Sequence, residues 1–297
     1  MVSSRNEGTI AALWRFPVKS MSGERLEESE VTANGVVGDR AYALIDTETG
    51  KVVSAKSVKL FPNVLACKAS FVEPPTRSGP LPPIRIALPD GTTVRSDAGD
   101  VDTRLSTHFG RSVRLTHVSP AELTIDQYYA DVEGASLDGK RDTVVSQKIG
   151  SALFAELGMP SPVPPGSFLD AFPLSLLTTS TLAQLNELRP QTAFDERRFR
   201  MNLIVSSERP GFVENDWVGR PVGVGERVRL MVAMADPRCV MTTLPQDELP
   251  QDVEVLRTLV RHNRLQVGEL GKLPCAGVYA VITAPGTVRV GDRVVLN

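Results

Sequence analysis

Short runs of β-branched and apolar residues recur along this chain, each closed by a turn of Gly, Pro, Asp or Asn, and that punctuation sets the fold class. Thr9 to Phe16 reads as a strand. Arg40 to Asp46 leads through Thr47-Glu48-Thr49-Gly50 into Lys51 to Ser54, the pattern of a hairpin, and a second hairpin runs from Ile84 to Leu88 across Asp90-Gly91 to Thr92 to Arg95. Later strands are expected at Leu174 to Leu177, Phe199 to Val205, Val228 to Ala235, Gly277 to Ile282 and Val288 to Leu296. Helical spacing is confined to a few places: Val101, Leu105 and Phe109 before Gly110; Ile149, Leu153 and Leu157 before Gly158; Thr179 to Leu188, opened by hydroxyl residues; and Val253, Leu256, Leu259 and Val260. The Pro-rich Met159 to Gly166 reads as a loop. The expectation is a mainly β chain with some α (α+β), built as a barrel or sandwich.

The 297 residues suffice for one large or two ordinary domains, and no internal repeat is visible. A net charge of -2 gives no general reason to bind nucleic acid or an anionic membrane, so any anion site must be local. Met1 to Gly8 is polar and lacks the apolar centre of a secretory signal, and no run reaches membrane-spanning length. Cys67, Cys239 and Cys275 are odd in number and widely spaced, which argues against a disulfide framework or structural zinc and for a reducing, cytoplasmic setting.

Cys239 is the residue with most chemical promise. It follows Arg238 and Asp236-Pro237 at the end of the run Met231 to Ala235, ahead of Thr242-Thr243. A thiol beside a fixed cation, where a strand gives way to a loop, is placed to be held as thiolate and to serve as a soft metal ligand. The alternative is a small buried hydrophobe, the common fate of a free cysteine. If Arg197 to Leu203 is a strand, alternation puts Arg198, Arg200 and Asn202 on one face, offering guanidinium forks for phosphate and an amide that both donates and accepts. The alternative there is a solvated face with structural ion pairs. Lys19 and Ser20, just after a strand, and Arg40, at the start of one, join that face in a cationic rim only if the fold brings them together. His108, His117 and His262 show no metal-ligand spacing, Gly35 to Gly38 and Gly223 to Gly225 lack a dinucleotide-site context, and neither a P-loop nor a GxSxG elbow is present.

Taken in order, Phe16-Pro17-Val18-Lys19-Ser20, Gly38-Asp39-Arg40, Phe199-Arg200-Met201-Asn202, Asp216-Trp217-Val218-Gly219, Arg238-Cys239-Val240-Met241-Thr242-Thr243 and Pro285-Gly286 with Val290-Gly291-Asp292 resemble the pattern of MOSC-domain proteins with an N-terminal β-barrel domain. That family includes the mitochondrial amidoxime-reducing components and bacterial relatives, and the likeness spans nearly the whole chain. It implies an N-terminal β-barrel domain over residues 1–120 and a MOSC β-barrel domain with peripheral helices over residues 121–297. It further implies that Cys239 gives its thiolate to molybdenum in a molybdopterin cofactor, with Lys19, Ser20, Arg40, Arg200, Asn202 and Arg238 holding the pterin and its phosphate. Arg198 and Thr242 join that set from strand alternation and proximity.

The likeness implies a molybdenum-dependent oxidoreductase that removes oxygen from an N-hydroxylated or related small molecule. No cysteine-rich ferredoxin segment is in the sequence, so electrons are expected from a separate flavin or iron-sulfur protein. Leu244 to Pro250 departs from the Asp-Pro-Asp-Thr-Gly type of the amidoxime reducers, which leaves the substrate open. The second reading is a carrier of the molybdenum cofactor or of sulfur, without turnover.

Overall fold

The computed structural model describes residues 5–120 and 122–297, so Met1 to Ser4, part of the polar N-terminus noted above, lie outside the described residues. Seven strands close into a barrel: β1 (Arg5–Arg15), β2 (Leu174–Thr178), β3 (Leu203–Ser206), β4 (Pro221–Val224), β5 (Val228–Pro237), β6 (Lys272–Ala284) and β7 (Arg293–Leu296). Their order round the barrel is β2-β3-β1-β7-β4-β5-β6, and β6 pairs back onto β2. A closed ring with an odd number of strands cannot alternate direction all the way round. One neighbouring pair must run parallel, and that pair is β2 and β3. Parallel neighbours need a long crossover, and the connection carries α3 (Thr179–Leu188) and the single turn α4 (Glu196–Phe199). The earlier helices are α1 (Val101–Phe109) and α2 (Gly150–Glu156), and α5 (Glu254–His262) lies between β5 and β6.

Alternation decides which side chains fill the barrel. In β5, Val228, Leu230 and Val232 are buried while Arg229, Met231 and Ala233 are exposed. The pairing of β5 with β6 then shifts register between Val232 and Met234 and again between Ala235 and Pro237. From there the strand leaves the simple inward-outward pattern and runs on to Arg238 and Cys239. Leu174 and Leu176 of β2 and Val278 and Ala280 of β6 join the barrel core, so Ser175 and its register partner Tyr279 face outward. A separate apolar core lies in the N-terminal half and reaches Val240 and Leu256. Its sheets are small, including Ala43–Asp46 with Val113–Thr116 and the three strands Lys68–Phe71, Ile84–Ala87 and Thr93–Arg95.

Two expected strands are corrected. Phe199 to Val205 is not one strand, because Asp195 caps the turn of α4 by accepting from Arg197 N at 2.9 Å, Arg200 turns left-handed at φ 55°, and pairing begins only at Leu203. Val288 to Leu296 divides at Gly291, whose φ of 90° makes a turn between Gly286–Arg289, paired with Glu28–Thr32, and β7 in the barrel. The hairpin Thr124–Tyr129 with Thr143–Lys148 is an element the periodicity did not reveal.

Glu214 ties the crossover to the barrel. Its fully buried carboxylate accepts from Thr178 Oγ1 at 2.6 Å, Thr181 Oγ1 at 2.7 Å and Gly277 N at 3.1 Å. Gly277 is at φ 80°, and a Cβ there would stand 2.5 Å from the Leu176 carbonyl oxygen, so only glycine brings its N–H to this acceptor. Glu214→Leu takes the acceptor away from three buried donors and is expected to lower the unfolding free energy by about 2–4 kcal/mol. Urea denaturation at neutral pH measures this.

Candidate functional site

On the outer wall where β2 and β6 pair, two segments of the N-terminal half come together. Lys19 N donates to Tyr42 O and Arg40 N to Phe16 O, each at 2.8 Å, while Asp39 Oδ1 accepts from Phe16 N at 2.8 Å. With residues 168–172 and the end of the crossover they enclose a cavity of about 90 Å³ lined by Lys19, Ser20, Arg40, Arg200, Asn202 and Arg238, among others. The lining holds four cations against two carboxylates, Asp170 and Asp236, a surplus of two positive charges. That balance suits a phosphate dianion.

The cations differ in how far they are already committed. Lys19 Nζ donates to Phe168 O at 2.8 Å and to Asp170, yet burial, opposed by Asp170, brings it down to about 8. Arg200 meets no carboxylate. It donates to Met21 O, and burial with the nearby Arg40 charge lowers it to about 9. Arg40 pairs with Asp39 and donates to Arg200 O at 3.0 Å, and both guanidiniums lie over Phe16, 4.5 and 4.3 Å from its centroid. Arg238 is fully engaged, with Ala276 O at 2.9 Å, Phe199 O at 3.1 Å and Asp236 Oδ2 at 2.9 Å. Asp236 itself is pushed up to about 6 by burial, against the pull of Arg238.

Ser20 is 3% exposed and its hydroxyl has no partner. An orphaned buried donor costs about 1–3 kcal/mol, and a ligand oxygen in the cavity would satisfy it. Among the described residues five non-glycine residues have positive φ, and three of them, Ser20 at 66°, Arg40 at 46° and Arg200 at 55°, line this cavity. Such backbone strain collects at functional sites.

Asn202 lies on the wall, but its amide is spent: Nδ2 donates to Asp39 Oδ2 at 3.1 Å and Trp14 O at 3.3 Å, and Oδ1 accepts from Ser175 Oγ at 3.2 Å. Arg198 is a correction. In the turn of α4 it points away from the cavity, and its buried guanidinium donates to the carbonyls of Ala193, Leu244 and Pro250 at 2.9, 3.2 and 2.8 Å, pinning residues 244–250. Thr242 is likewise moved from the ligand set, because its hydroxyl donates to Cys239 O at 3.1 Å and lines neither this cavity nor the next.

Cys239 is half-buried, at the start of the short turn Val240–Thr243, and faces a second cavity that meets the first at Arg238. Among the described residues no group of three or more His, Cys, Asp or Glu is placed to hold a metal ion. A metal at this thiol would therefore bring most of its ligands with it, as one carried by an organic cofactor does. Asp170 and Lys56 are absent from the sequence-based set. Asp170 accepts from Lys19 on Oδ1 and lies 3.1 Å from Lys56 Nζ through Oδ2. Burial works against its ionisation, but the two ammonium groups outweigh it and hold the carboxyl well below the usual carboxylate range. Burial also pulls Lys56 down, yet Asp170 and then Cys239 raise it above the ordinary lysine value. Neither residue carried a local signal, since Asp170 lies in an irregular stretch after the Pro-rich loop and Lys56 in a polar one.

The MOSC domain model matches residues 164–295, and the MOSC N-terminal beta barrel domain model matches residues 7–79. The chain belongs to the MOSC-domain proteins. It is 26% identical to the human protein named mitochondrial amidoxime-reducing component 1 and 27% identical to its mouse counterpart, across 97% of this chain and 83% and 82% of theirs. Human mitochondrial amidoxime reducing component 2 is 26% identical over 97% of this chain and 83% of its own length. The crystal structure of the YUAD protein from Bacillus subtilis covers 100% of this chain and 98% of its own at 11% identity, with a TM-score of 0.45. As a MOSC-domain protein the chain sits in a molybdenum-cofactor-associated family, and its donor set fits that group: one thiol for the metal and a cationic pocket with a free hydroxyl for the phosphate.

Lys19 gives the pocket a pH dependence. Its ammonium is charged below about 8 and neutral above, so an anion is held best on the acid side. Sulfate, which does not itself titrate here, is expected to bind cofactor-free protein about tenfold more weakly at pH 9 than at pH 7. Calorimetry of Lys19→Gln should show weaker binding with most of that pH dependence removed, the remainder belonging to Arg200.

Proposed function

We propose that this MOSC-domain protein binds a molybdenum cofactor through Cys239 and reduces N-hydroxylated or related small molecules with electrons from a separate flavin or iron-sulfur protein. The observation that carries the reading is the position of Cys239, with the cationic pocket on one side of Arg238 and an open cavity on the other. Lys19, Ser20, Arg40 and Arg200 would hold the phosphate end, and the Cys239 thiolate would hold the metal. When bound, the cofactor supplies the two-electron redox chemistry. The chain's own part is to fix its orientation. Thr242 anchors the Cys239 carbonyl, Arg238 locks the strand end, and Asp170 keeps Lys19 directed at the pocket.

The open cavity beside the thiol favours turnover over mere carriage, because a carrier needs no space for a second molecule at the metal. The printed names of the relatives point to amidoximes as the compounds to try. No helix among the described residues is long and apolar enough to cross a membrane. We read the setting as cytoplasmic from the three free cysteines.

The experiment is to purify the protein from a host that makes molybdopterin, measure molybdenum and pterin per chain, and follow benzamidoxime reduction with an artificial donor. Cys239→Ala is expected to lose turnover by more than the roughly 100-fold that changes around a metal ligand cost. Wild-type protein free of molybdenum and pterin would sink the proposal; cofactor without reduction of any substrate would leave only the carrier.

A further inference from the structure

A third cavity, of about 200 Å³, shares Arg200 with the cationic pocket. Its walls include Trp14 and Phe16 at the end of β1, Lys68 from the N-terminal half, and Gln246 and Asp247 from the stretch Leu244 to Pro250 that departs from the amidoxime-reducer pattern. That stretch is firmly held. Arg198 donates to the carbonyls of Leu244 and Pro250, and Gln246 and Leu249 exchange backbone hydrogen bonds at 3.0 and 2.8 Å across a tight turn. Gln246 is 3% exposed, yet its amide nitrogen has no partner. A buried amide left in that state is costly unless an occupant of the cavity accepts from it. Trp14 is fixed by its indole N–H, which donates to Glu196 Oε1 at 2.9 Å. Its ring stands nearly parallel to that of Phe16, 6.2 Å between centres, and the Arg40 and Arg200 guanidiniums already cover Phe16, so Trp14 offers the free aromatic surface. Lys68, Arg197 and Arg200 face Glu196 and Asp247, a surplus of one positive charge. Arg197 is spent on Asp195 and Glu248 at 2.8 and 2.6 Å, whereas Lys68, exposed at the rim, pairs with no carboxylate among the described residues.

We propose that this cavity is a second binding site, for a planar aromatic monocarboxylate that carries a hydroxyl. The ring lies on Trp14, the carboxylate meets Lys68, and the hydroxyl oxygen accepts from the Gln246 amide. A surplus of one charge fits a monoanion, where the surplus of two in the cationic pocket fits a dianion. Because Arg200 borders both cavities, an occupant of either draws on the same guanidinium, and two anions about one cation repel each other. Binding at the two sites is therefore negatively coupled, and the coupling is reciprocal. The site needs neither metal nor turnover and goes beyond the reductase reading: a molecule bound there loosens the hold of the cationic pocket on its phosphate.

Cofactor-free protein titrated with 6-hydroxy-2-naphthoate tests this, read by calorimetry and by the indole N–H signals of the two tryptophans, Trp14 and Trp217. Trp217 is fully buried in the barrel core, so wild type is expected to bind one acid per chain and to shift the Trp14 signal alone. Gln246→Leu should bind this acid about fivefold more weakly while its affinity for 2-naphthoate, which lacks the hydroxyl, stays unchanged. Lys68→Gln should weaken both acids about threefold. Sulfate in the cationic pocket should weaken the naphthoate about fivefold, and that effect should shrink in Lys19→Gln. Absence of binding, or binding that leaves the Trp14 signal in place, overturns the site, and so does a Gln246→Leu protein that treats the two acids as wild type does. Naphthoate affinity that falls in Lys19→Gln without sulfate puts the acid in the cationic pocket and overturns the site as well. Sulfate without effect overturns the coupling through Arg200.

Discussion

One carboxylate holds the two halves of the molecule together at the place where chemistry is possible. Asp170 sits in the loop before β2 of the barrel, and both of its ammonium partners, Lys19 and Lys56, come from the N-terminal half. Withdrawing charges from water is expensive unless each is matched, and here Lys19 is buried, Lys56 nearly so and Asp170 half-buried, so removing one partner of the set is more destabilising than the set is stabilising. The arrangement therefore serves geometry more than stability. Lys19 is turned toward the cationic pocket and Lys56 toward the cavity beside Cys239, so the same acceptor sets the charge on both sides of the site.

Around that centre the backbone is bent where the donors are needed. Ser20, Arg40 and Arg200 each occupy left-handed conformations that cost on the order of 1–3 kcal/mol apiece. They persist because the surrounding bonds over-determine them: Lys19 N to Tyr42 O, Arg40 N to Phe16 O, and the Arg40 guanidinium to Arg200 O. Arg238 shows the opposite economy. Its guanidinium is fully engaged within the protein, so it reads as the clamp that fixes Cys239 at the strand end. Arg198 and Asn202 have the same character, each spending its polar atoms on carbonyls or on neighbouring side chains.

Much of the fold was legible because local chemistry writes it. The helix over Thr179–Leu188, with Thr178 as its cap, and the stop of α1 at Gly110 follow from capping and left-handed glycine, and the hairpin Ile84–Ala87 with Thr93–Arg95 follows from Asp90-Gly91. The failures are also local. Reading Arg197 to Leu203 as a strand missed Asp195 as a cap, and with it the fact that α4 turns Arg198 away from Arg200. Which distant strands join was not legible: nothing in Arg5–Arg15 announces that it closes a barrel with strands almost two hundred residues further on.

The sequence by itself determined a mainly β chain, a thiol at the end of a strand and a set of basic residues whose order resembles one family, because periodicity, turn residues and ordered motifs are properties of neighbours along the chain. Only the tertiary structure decided which of those residues keep free donors and which are spent, and it added Asp170 and Lys56. The reason is that hydrogen-bond satisfaction and desolvation depend on groups brought close from distant parts of the chain: Lys19 becomes a weakly held proton and Ser20 an orphaned hydroxyl only once the barrel wall and the loop before β2 close over them.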